Sequence, residues 1–388
     1  MPDRLRLVQV NAAFDPTAPT PGALLDRYHT LTAWSDALAA AGSHVEVVQR
    51  FARAGGLERR GVRYRFVADA HPAVLPLRTA SAATVAAVAD ATPDVVHVNG
   101  LVFPALVGAL RRRLPHHVAI VVQDHAGIQP PDRSRFWPRR RWPRGLDQAD
   151  AVSFTSAEQA APWHEADLLG DARVLGVVEA STDLVAAPRN EARRATGLGG
   201  TPLLLWVGRL NANKDPVTVL DGLDRALPGL PDARVAMIWN GEAPLESTVR
   251  SRVQASAVLR ARVHLVGGVP HPAMPRYYGA ADAFLSGSHA EGSGYALIEA
   301  LACGLVPIVT EIPSFGAIAG PCGARWRPGD AAACAAAIAR VCASPLADAR
   351  ADVLRHFTRN LTWAALATQT LSAYADIARR RRARDGAA

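Results

Sequence analysis

The sequence has little that marks a membrane-spanning or secreted protein. No apolar run approaches the roughly 20 residues that cross a bilayer. The N-terminus, MPDRLRLVQV, enters a strand pattern directly, without the charged region, apolar core and cleavage site of a signal peptide. We therefore predict a cytoplasmic protein.

Cysteine is scarce as well. The four cysteines, at positions 303, 322, 334 and 342, form no Cys-x2-Cys pair and lie in segments rich in alanine or glycine. Metal-binding and redox sites usually bring thiols together at short spacings. We interpret these cysteines as structural, and we expect no metal site.

Acidic residues are outnumbered by basic ones, which leaves a net charge of +8. This excess favours polyanionic partners such as nucleotides and anionic lipids. Two basic segments, 133–144 with its interleaved tryptophans and 379–384, are candidates for contact with the anionic inner face of a cell membrane. Nucleic acid is not expected, because proteins that bind it carry positive charge over more of the fold.

Length and patterning predict two domains. The 388 residues are 49% hydrophobic and 20% charged, which is enough for two separate cores. Strand and helix patterns alternate in both halves, as in parallel sheets covered by helices. We predict an α/β protein with two doubly wound Rossmann-like domains, at 1–187 and 188–360, and a C-terminal helix at 361–388. The stretch 185–200 is the predicted connection, and 24–41 is predicted as one long helix.

The most informative stretch runs from Asp282 to Gly320. It predicts a strand, a glycine loop at 292–294, a helix and a second strand. Glycines let the backbone approach a ligand closely, and the first amides of a helix form a partly positive mouth that suits a phosphate. Glu291 in the loop and Glu299 in the second helical turn then address one ligand from the same end of the sheet. Carboxylates accept hydrogen bonds from sugar or ribose hydroxyls.

A nicotinamide cofactor fits the same loop. Gly292-x-Gly294 is two thirds of a dinucleotide fingerprint, and Glu311 at the end of the next strand could bind a ribose. Leu297 stands where the third glycine of that fingerprint would be. The loop alone therefore leaves a sugar nucleotide and a nicotinamide dinucleotide both open.

Several motifs together resemble the retaining nucleotide-sugar glycosyltransferases of family 4. Glu291 and Glu299, separated by seven residues, are followed by a small-residue helix and the turn GLVP at 304–307. Upstream, the element GRLNANK at 208–214 is similar to the family's "GRL…K" element, and PDVVH at 93–97 is similar to a strand of the first domain. The resemblance implies the GT-B arrangement: two facing Rossmann-like domains, with the donor mostly on the second, and a tryptophan-led C-terminal helix that crosses back to the first.

The resemblance also implies roles for the glycine loop. Glu291 would meet hydroxyls of the donor sugar, and Glu299 would meet the nucleotide ribose. The main chain around Ser293, Gly294 and Tyr295 would bind the diphosphate.

Further roles are implied outside that loop. Arg209 and Lys214 would hold the diphosphate, Val269 would lie against the nucleobase, and Gly22 would pass beneath the donor phosphate. His125, after a first-domain strand, would approach the transferred sugar. The segment 179–183 departs from the family pattern Asn-Gly-Val-Asp, of which only Asp183 is retained.

The positive groups also have a physical rationale. When a sugar leaves on a nucleoside diphosphate, negative charge grows on the β-phosphate, and cations must already be in place. Each charge-assisted hydrogen bond contributes roughly 1.5–3 kcal/mol, so Arg209, Lys214 and helix amides can together replace a magnesium ion. No Asp-x-Asp triplet, the metal-holding signature of the other main glycosyltransferase fold, occurs in the sequence. We therefore predict transfer without a metal.

These observations predict a glycosyltransferase without a cofactor. It would move a sugar from a nucleoside diphosphate sugar to a hydroxyl of a glycan, lipid-linked or small-molecule acceptor, with retention of configuration. Three alternatives stay open: a nicotinamide-dependent enzyme, an epimerase or phosphorylase on the same fold, and a non-catalytic sugar-nucleotide sensor.

Overall fold

The computed structural model describes residues 4–69, 78–125, 127, 130, 145–241 and 243–386. The basic segment predicted at 133–144 lies outside the described residues. The chain forms two compact units, Met1–Glu179 with Trp363–Ala388 and Ala180–Thr362. The boundaries predicted from the sequence are at 187 and 360.

The first unit is built on a sheet with the strand order β3-β4-β2-β1-β5-β6-β7-β8. The β3–β4 pair is antiparallel and the other pairs are parallel. Strands β5 and β6 are buried at every position, since both faces of this sheet are covered. The strands are β1 (Arg6–Asn11), β2 (His44–Arg50), β3 (Gly55–Arg59), β4 (Val62–Val67), β5 (Val95–Asn99), β6 (Ala119–Gln123), β7 (Ala151–Phe154) and β8 (Arg173–Gly176).

Strand β3 is not predicted by the sequence analysis. Its hairpin with β4 turns through Arg60 (φ 50°) and Gly61 (φ 77°). Two successive residues with positive φ form the tight turn that matches the twist of a hairpin. The strand begins with two glycines and lies at the sheet edge, so it lacks the apolar pattern that identifies the buried strands.

The prediction of one long helix at 24–41 is wrong. The structure has two helices instead, α1 (Pro21–Arg27) and α2 (His29–Ala40), which are separated at Tyr28 (φ −100°, ψ 46°). The Asp15 carboxylate holds this corner by accepting hydrogen bonds from Arg27 (2.6 Å) and the Tyr28 hydroxyl (3.1 Å). The remaining described helices of the unit are α3 (Ala82–Asp90), α4 (Pro104–Arg113), α5 (Ala161–Glu165) and α15 (Trp363–Asp385).

The C-terminal helix α15 belongs to the first unit, as predicted. Its buried residues Tyr374, Ile377 and Ala378 join the core beneath β1 and β2. Its basic end is tied to acids of the same unit, since Arg381 pairs with Asp150 (3.4 Å) and Arg382 pairs with Asp94. Contact of the segment 379–384 with a membrane stays a prediction.

The second unit contains a parallel sheet with the strand order β11-β10-β9-β12-β13-β14. Its strands are β9 (Leu203–Gly208), β10 (Arg234–Trp239), β11 (Val263–Gly267), β12 (Ala283–Ser286), β13 (Val306–Thr310) and β14 (Ala324–Trp326). Its helices are α6 (Arg189–Thr196), α7 (Pro216–Ala226), α8 (Glu246–Ala255), α9 (Ala257–Arg262), α10 (Met274–Ala280), α11 (Tyr295–Ala302), α12 (Pro313–Ala319), α13 (Ala331–Cys342) and α14 (Ala347–Asn360).

The stretch predicted as the connection, 185–200, contains helix α6 of the second unit. Arg189 and Arg193 on α6 both pair with Asp282, and Arg350 on α14 meets the same carboxylate. Asp282 is buried just before β12 and also accepts a hydrogen bond from the Leu203 amide (2.8 Å). Arginines that are typical of a linker in the sequence therefore anchor helix α6 to the sheet.

Within the described part of the chain, no single helix combines the length and apolar composition needed to cross a membrane. One pair of helices, α13 and α14, meets that test together, with a bend of 103° between them.

Candidate active site

The loops that carry the predicted charges leave neighbouring strands of the second unit. Strands β9 and β12 lie side by side, with β10 and β11 on one flank and β13 and β14 on the other. The chain thus winds outward in opposite directions from this pair. In open α/β sheets ligands bind at such a switch point, beyond the carboxyl ends of the strands. This topology brings together the loop of Lys214 and the loop of Glu291.

The backbone at Lys214 is fixed by two caps in succession. The Asn211 side chain accepts a hydrogen bond from the Lys214 amide (3.1 Å), which closes a 3₁₀ turn. Asp215 (φ 41°) then turns the chain into α7 and caps it by accepting a hydrogen bond from the Thr218 amide (3.2 Å). The lysine is thereby held just beyond the carboxyl end of β9.

Asn213 joins this turn to the loop after β12 by three hydrogen bonds. Its carbonyl accepts from the His289 amide (2.8 Å), its side-chain oxygen accepts from the Ala290 amide (3.1 Å), and its side-chain amide donates to the Ala290 carbonyl (3.0 Å). The residue before Lys214 therefore sets the position of the residues before Glu291.

The two loops also touch at Gly287. A Cβ there would lie 2.7 Å from a methyl group of Val219, 3.1 Å from the Asp215 carbonyl and 3.2 Å from the Lys214 carbonyl. No real side chain fits that space. Glycine at this position lets the turn that carries the lysine lie directly on the end of β12.

The Lys214 ammonium and the Glu291 carboxylate form an ion pair. Their side chains are 23% and 14% exposed, so the pair is largely shielded from solvent. Lys214 is also the only lysine among the 43 lysine and arginine residues of the sequence. Its ammonium is a compact point charge, whereas the guanidinium of an arginine is planar.

Helix α11 starts where the sequence predicts. Gly294 (φ 61°) is its N-cap, Tyr295 is its first residue and is 42% exposed, and Ser293 is buried just before it. The first intrahelical hydrogen bonds are donated by Leu297 and Ile298 to the Gly294 carbonyl (3.0 and 3.1 Å). The amides before Leu297 thus precede the helical ladder, at the end of the helix that attracts anions.

Glu299 lies in the second turn of α11 and is held on both oxygens. The Tyr278 hydroxyl donates to Oε2 (2.8 Å), and His271 Nε2 lies 2.7 Å from Oε1. Burial and the neighbouring carboxylate raise the pKa of Tyr278 well above its ordinary value, so Tyr278 stays a donor. Tyr278 and His271 together fix the orientation of the Glu299 carboxylate.

Val269, the predicted base-pocket residue, is buried in the loop after β11. Its amide donates to Asn240 Oδ1 (2.9 Å) and its carbonyl accepts from Asn240 Nδ2 (2.7 Å). A carbonyl oxygen can accept a second hydrogen bond, whereas the amide has only one proton. Any main-chain contact of Val269 with a base therefore goes through its carbonyl.

Arg209 follows β9 directly and is exposed. Within the described residues its side chain makes no hydrogen bond or ion pair. The described residues also contain no cluster of three or more His, Cys, Asp or Glu side chains arranged to hold a metal ion.

In the first unit, both ring nitrogens of His125 are engaged. Nε2 lies 2.6 Å from Asn99 Oδ1, and Nδ1 pairs with the Glu179 carboxylate. Burial alone would lower the pKa of His125, but the carboxylates of Glu179 and Asp124 outweigh burial and raise the pKa above its ordinary value of 6.5. The charged imidazolium is therefore favoured just beyond the carboxyl end of β6.

A buried polar chain continues from Asn99 into the unit. His97 Nε2 lies 2.6 Å from the same Asn99 Oδ1, and its Nδ1 contacts the Tyr374 hydroxyl on α15. Burial, together with the neighbouring His125, lowers the pKa of His97 to about 3. The neutral form of His97 is therefore favoured. Hydrogen bonds through His97 and Asn99 connect Tyr374 on the C-terminal helix to His125.

Gly22 lies in the first turn of α1 and is exposed. A Cβ at this position would meet no atom closer than 4.0 Å, so no close approach within the protein requires glycine there. Its role beneath a donor phosphate stays a prediction.

A cavity of about 660 Å³ opens elsewhere on the first unit. It is lined by residues at the starts of β1, β2 and β4, among them Arg6, His44 and Arg63. Because these are the amino ends of parallel strands, the cavity lies at the sheet edge opposite to Asn99 and His125.

Two family models match the chain, and together they match most of it. "Glycosyltransferase Family 4" matches residues 29–172, and "Glycosyl transferases group 1" matches residues 201–344. Among solved structures, sucrose-phosphate synthase from Thermosynechococcus elongatus superimposes with a TM-score of 0.65 at 22% identity, over 96% of this chain and 99% of that one. The chain belongs to the GT-B glycosyltransferases.

Other members of this group are similar over parts or all of the chain. The GDP-mannose:cellobiosyl-diphosphopolyprenol alpha-mannosyltransferase of Xanthomonas oryzae pv. oryzae is 28% identical over 233 residues, which is 59% of this chain and 59% of that protein. The matched region thus spans less than two thirds of the curated relative. HepE of Anabaena, solved with UDP, has a TM-score of 0.64 at 14% identity, over 96% of this chain and 100% of that one.

In this GT-B protein, the structure brings Lys214 into contact with Glu291 and places both beside the start of α11. It does not place Arg209 in contact with either of them. Sequence reasoning missed Asn213, His271 and Tyr278, which position these groups. His271 directly follows the predicted Val269 loop at a strand's carboxyl end, and that position is a signal that could have identified it.

Proposed function

We propose that this chain transfers a hexosyl group from a nucleoside diphosphate sugar to an acceptor hydroxyl, with retention of anomeric configuration and without a metal ion. The contact between Lys214 and Glu291, next to the glycine loop and the first turn of α11, is the main support. A cation and a carboxylate at one helix start suit the two chemical parts of a sugar diphosphate, since the cation binds phosphate and the carboxylate binds hydroxyls.

Donor binding would exchange one set of partners for another. In the free protein, Lys214 and Glu291 neutralise each other. A diphosphate competes for the ammonium, and sugar hydroxyls donate hydrogen bonds to the released carboxylate. One ligand thus binds both groups, whereas an anion alone binds only the ammonium and a sugar alone binds only the carboxylate.

The charges then act on the transition state. As the glycosidic bond breaks, negative charge builds up on the β-phosphate. Lys214, Arg209 and the amides ahead of α11 stabilise this charge more strongly than they stabilise the bound donor, which is the condition for a faster reaction. The leaving phosphate accepts the proton of the acceptor hydroxyl, which attacks from the same face.

The remaining predicted residues would set specificity. Glu299, oriented by His271 and Tyr278, binds the ribose hydroxyls, and Val269 lies against the base. Gly22 and His125 on the first unit contact the donor phosphate and the transferred sugar. The mannosyltransferase named above supports GDP-mannose as a donor to test and a diphosphopolyprenol-linked sugar as an acceptor to test. The enzyme would work in the cytoplasm.

A screen of donors without metal tests this function. UDP-, GDP-, ADP- and TDP-sugars and, separately, NAD are added in the presence of EDTA, and thermal stabilisation is measured. Nucleotide release with candidate acceptors is then measured with and without EDTA. We expect stabilisation by one class of sugar nucleotide, release at the same rate with and without EDTA, and a product with the donor's anomeric configuration by NMR. Stabilisation by NAD alone would instead favour the nicotinamide enzyme, and binding without release would favour a sensor.

The single lysine offers a direct probe of the donor site. Reductive methylation with ¹³C-formaldehyde labels Lys214 and the N-terminal amine, and only the Lys214 signal disappears in Lys214→Arg. A bound nucleoside diphosphate should shift the Lys214 signal because its phosphates replace Glu291 as the nearest anion. A donor that stabilises the protein but leaves this signal unchanged would remove Lys214 from the donor site.

A further inference from the structure

The hydrogen bonds around Asn99 fix the protons on two histidines. An amide oxygen can only accept hydrogen bonds, and His97 Nε2 and His125 Nε2 each lie 2.6 Å from Asn99 Oδ1. Both nitrogens must therefore carry a proton. The amide is held in this orientation because its Nδ2 donates to Asn11 Oδ1.

The second nitrogen of His125 faces an acid. Nδ1 pairs with the carboxylate of Glu179, whose side chain is only 5% exposed. An ionised carboxylate also only accepts, so Nδ1 carries a proton as well. In a histidine that meets a carboxylate at Nδ1 alone, Nε2 keeps a lone pair and can act as a base. Here the Asn99 oxygen faces Nε2, and His125 has two N–H groups.

We propose that Glu179 and Asn99 are positioning residues that hold His125 as a hydrogen-bond donor, so that its Nε2–H is delivered to an oxygen of the bound sugar or acceptor and His125 does not act as a base. This inference rests on the proposed transfer reaction. When Nε2–H turns to a substrate oxygen, Asn99 Oδ1 still accepts from His97, so no buried acceptor loses its last partner.

The charges around His125 agree with this role. Glu179 and Asp124 are the acids that favour its charged form, while His97 is neutral and has Tyr374 behind it. The donor state of His125 therefore depends on the carboxylate of Glu179.

Histidine ¹⁵N NMR of the full chain tests the protonation directly. The His125 signals are identified by their loss in His125→Gln. Both ring nitrogens should show imidazolium shifts at pH 7 in the wild type, and Glu179→Gln should show a neutral ring. Glu165→Gln, an exposed glutamate on α5, is the matched control and should leave the signals unchanged. A neutral His125 in the wild type at pH 7 overturns the proposal, whether or not the protein transfers sugar.

The pH dependence of nucleotide release tests the role in transfer. Glu179→Gln should lower kcat about tenfold at pH 7.5, with little change in KM for the donor, and should move the alkaline limb of the profile to lower pH. Glu179→Asp keeps the carboxylate and should restore most of the rate. An alkaline limb that stays in place in Glu179→Gln overturns the donor role. If the wild type transfers no sugar, the proposed function fails, and the ¹⁵N spectra still decide the state of His125.

Discussion

At the scale of single residues, the contrast between Lys214 and the arginines of this chain is informative. The other 42 of the 43 basic residues are arginines, and many of them pair with acids in structural roles, as Arg189 and Arg350 do at Asp282. A guanidinium spreads its charge over a plane, whereas an ammonium concentrates it on one atom. A β-phosphate oxygen that gains charge during transfer suits the second kind of cation.

Replacing Lys214 by alanine should lower kcat by about 10²- to 10³-fold, because the transition state loses a fixed positive charge. Lys214→Arg should recover only part of the rate. Nucleotide release at saturating donor measures both variants. Arg225→Ala, an exposed residue of α7, is the control and should keep the wild-type rate. Near-normal turnover of Lys214→Ala would exclude the lysine from the mechanism.

Gly294 is a second residue whose substitution has a defined effect. Its φ is 61°, and a Cβ would lie 2.8 Å from Ile318 Cδ1. Gly294→Ala should therefore lower the free energy of unfolding by about 1–2 kcal/mol and weaken donor binding. Gly316→Ala in α12 is the matched control, since a Cβ there meets no atom within 4 Å. That variant should be as stable as the wild type or slightly more stable. Equal melting temperatures for the two variants would contradict this prediction.

At the scale of elements, the site depends on how two loops are joined. The turn after β9 and the loop after β12 meet through the hydrogen bonds of Asn213 and the close contact at Gly287. These contacts fix the position of one loop relative to the other. The ion pair of Lys214 and Glu291 is therefore a product of strand order as much as of residue type.

Asn213→Ala should separate these loops. It removes two side-chain hydrogen bonds, each of which contributes about 0.5–1.5 kcal/mol. We expect kcat/KM to fall about tenfold and amide hydrogen exchange at residues 289–291 to accelerate, while the global melting temperature changes by only a few degrees. Gln254→Ala, exposed on α8, should change none of these quantities. Unchanged exchange at 289–291 would show that Asn213 does not hold the loop.

The C-terminal helix α15 also contributes one buried polar contact. Tyr374→Phe removes the hydroxyl that satisfies His97 Nδ1 and should cost about 1–3 kcal/mol, because a buried acceptor is left without a partner. Chemical denaturation measures the loss. Tyr277→Phe on α10 is the control, since the Tyr277 hydroxyl has no hydrogen bond within the described residues. If both variants unfold at the same denaturant concentration, the His97 contact adds nothing to stability.

At the scale of the whole molecule, two histidines change the free energy of unfolding with pH in opposite directions. The pKa of His97 is lowered from 6.5 to about 3, so its stabilising neutral form is lost as the pH falls from 6.5 towards 3. The pKa of His125 is raised above 6.5, so its stabilising charged form is lost as the pH rises through that raised value.

The melting temperature should therefore fall on both sides of a maximum near neutral pH. His97→Gln should flatten the acid side when melting temperature is measured against pH by calorimetry. His164→Gln, an exposed histidine on α5, should leave the profile as in the wild type. If the melting temperature of His97→Gln falls as steeply at acid pH as that of the wild type, His97 is not the group that causes the fall.

Much of the architecture could be predicted from the sequence, because its signals are local. Buried strands such as Leu203–Gly208 are continuous apolar runs, and the start of α11 is marked by Gly294. The features that the sequence analysis did not predict have physical reasons as well. Strand β3 has almost no apolar pattern, the break at Tyr28 depends on contacts with Asp15, and the arginines of α6 find their acid about ninety residues later in the chain.

Most strands and helices, and the kinds of charged group at the carboxyl ends of the strands, can be predicted from the amino-acid sequence, since they depend on neighbours along the chain. Which of these groups meet is set by the tertiary structure. Lys214 and Glu291 pair because β9 and β12 are adjacent, Glu299 is oriented by residues of two other elements, and His125 pairs with Glu179, which lies 54 residues later in the chain. Such pairings depend on packing between distant segments, which no local pattern records.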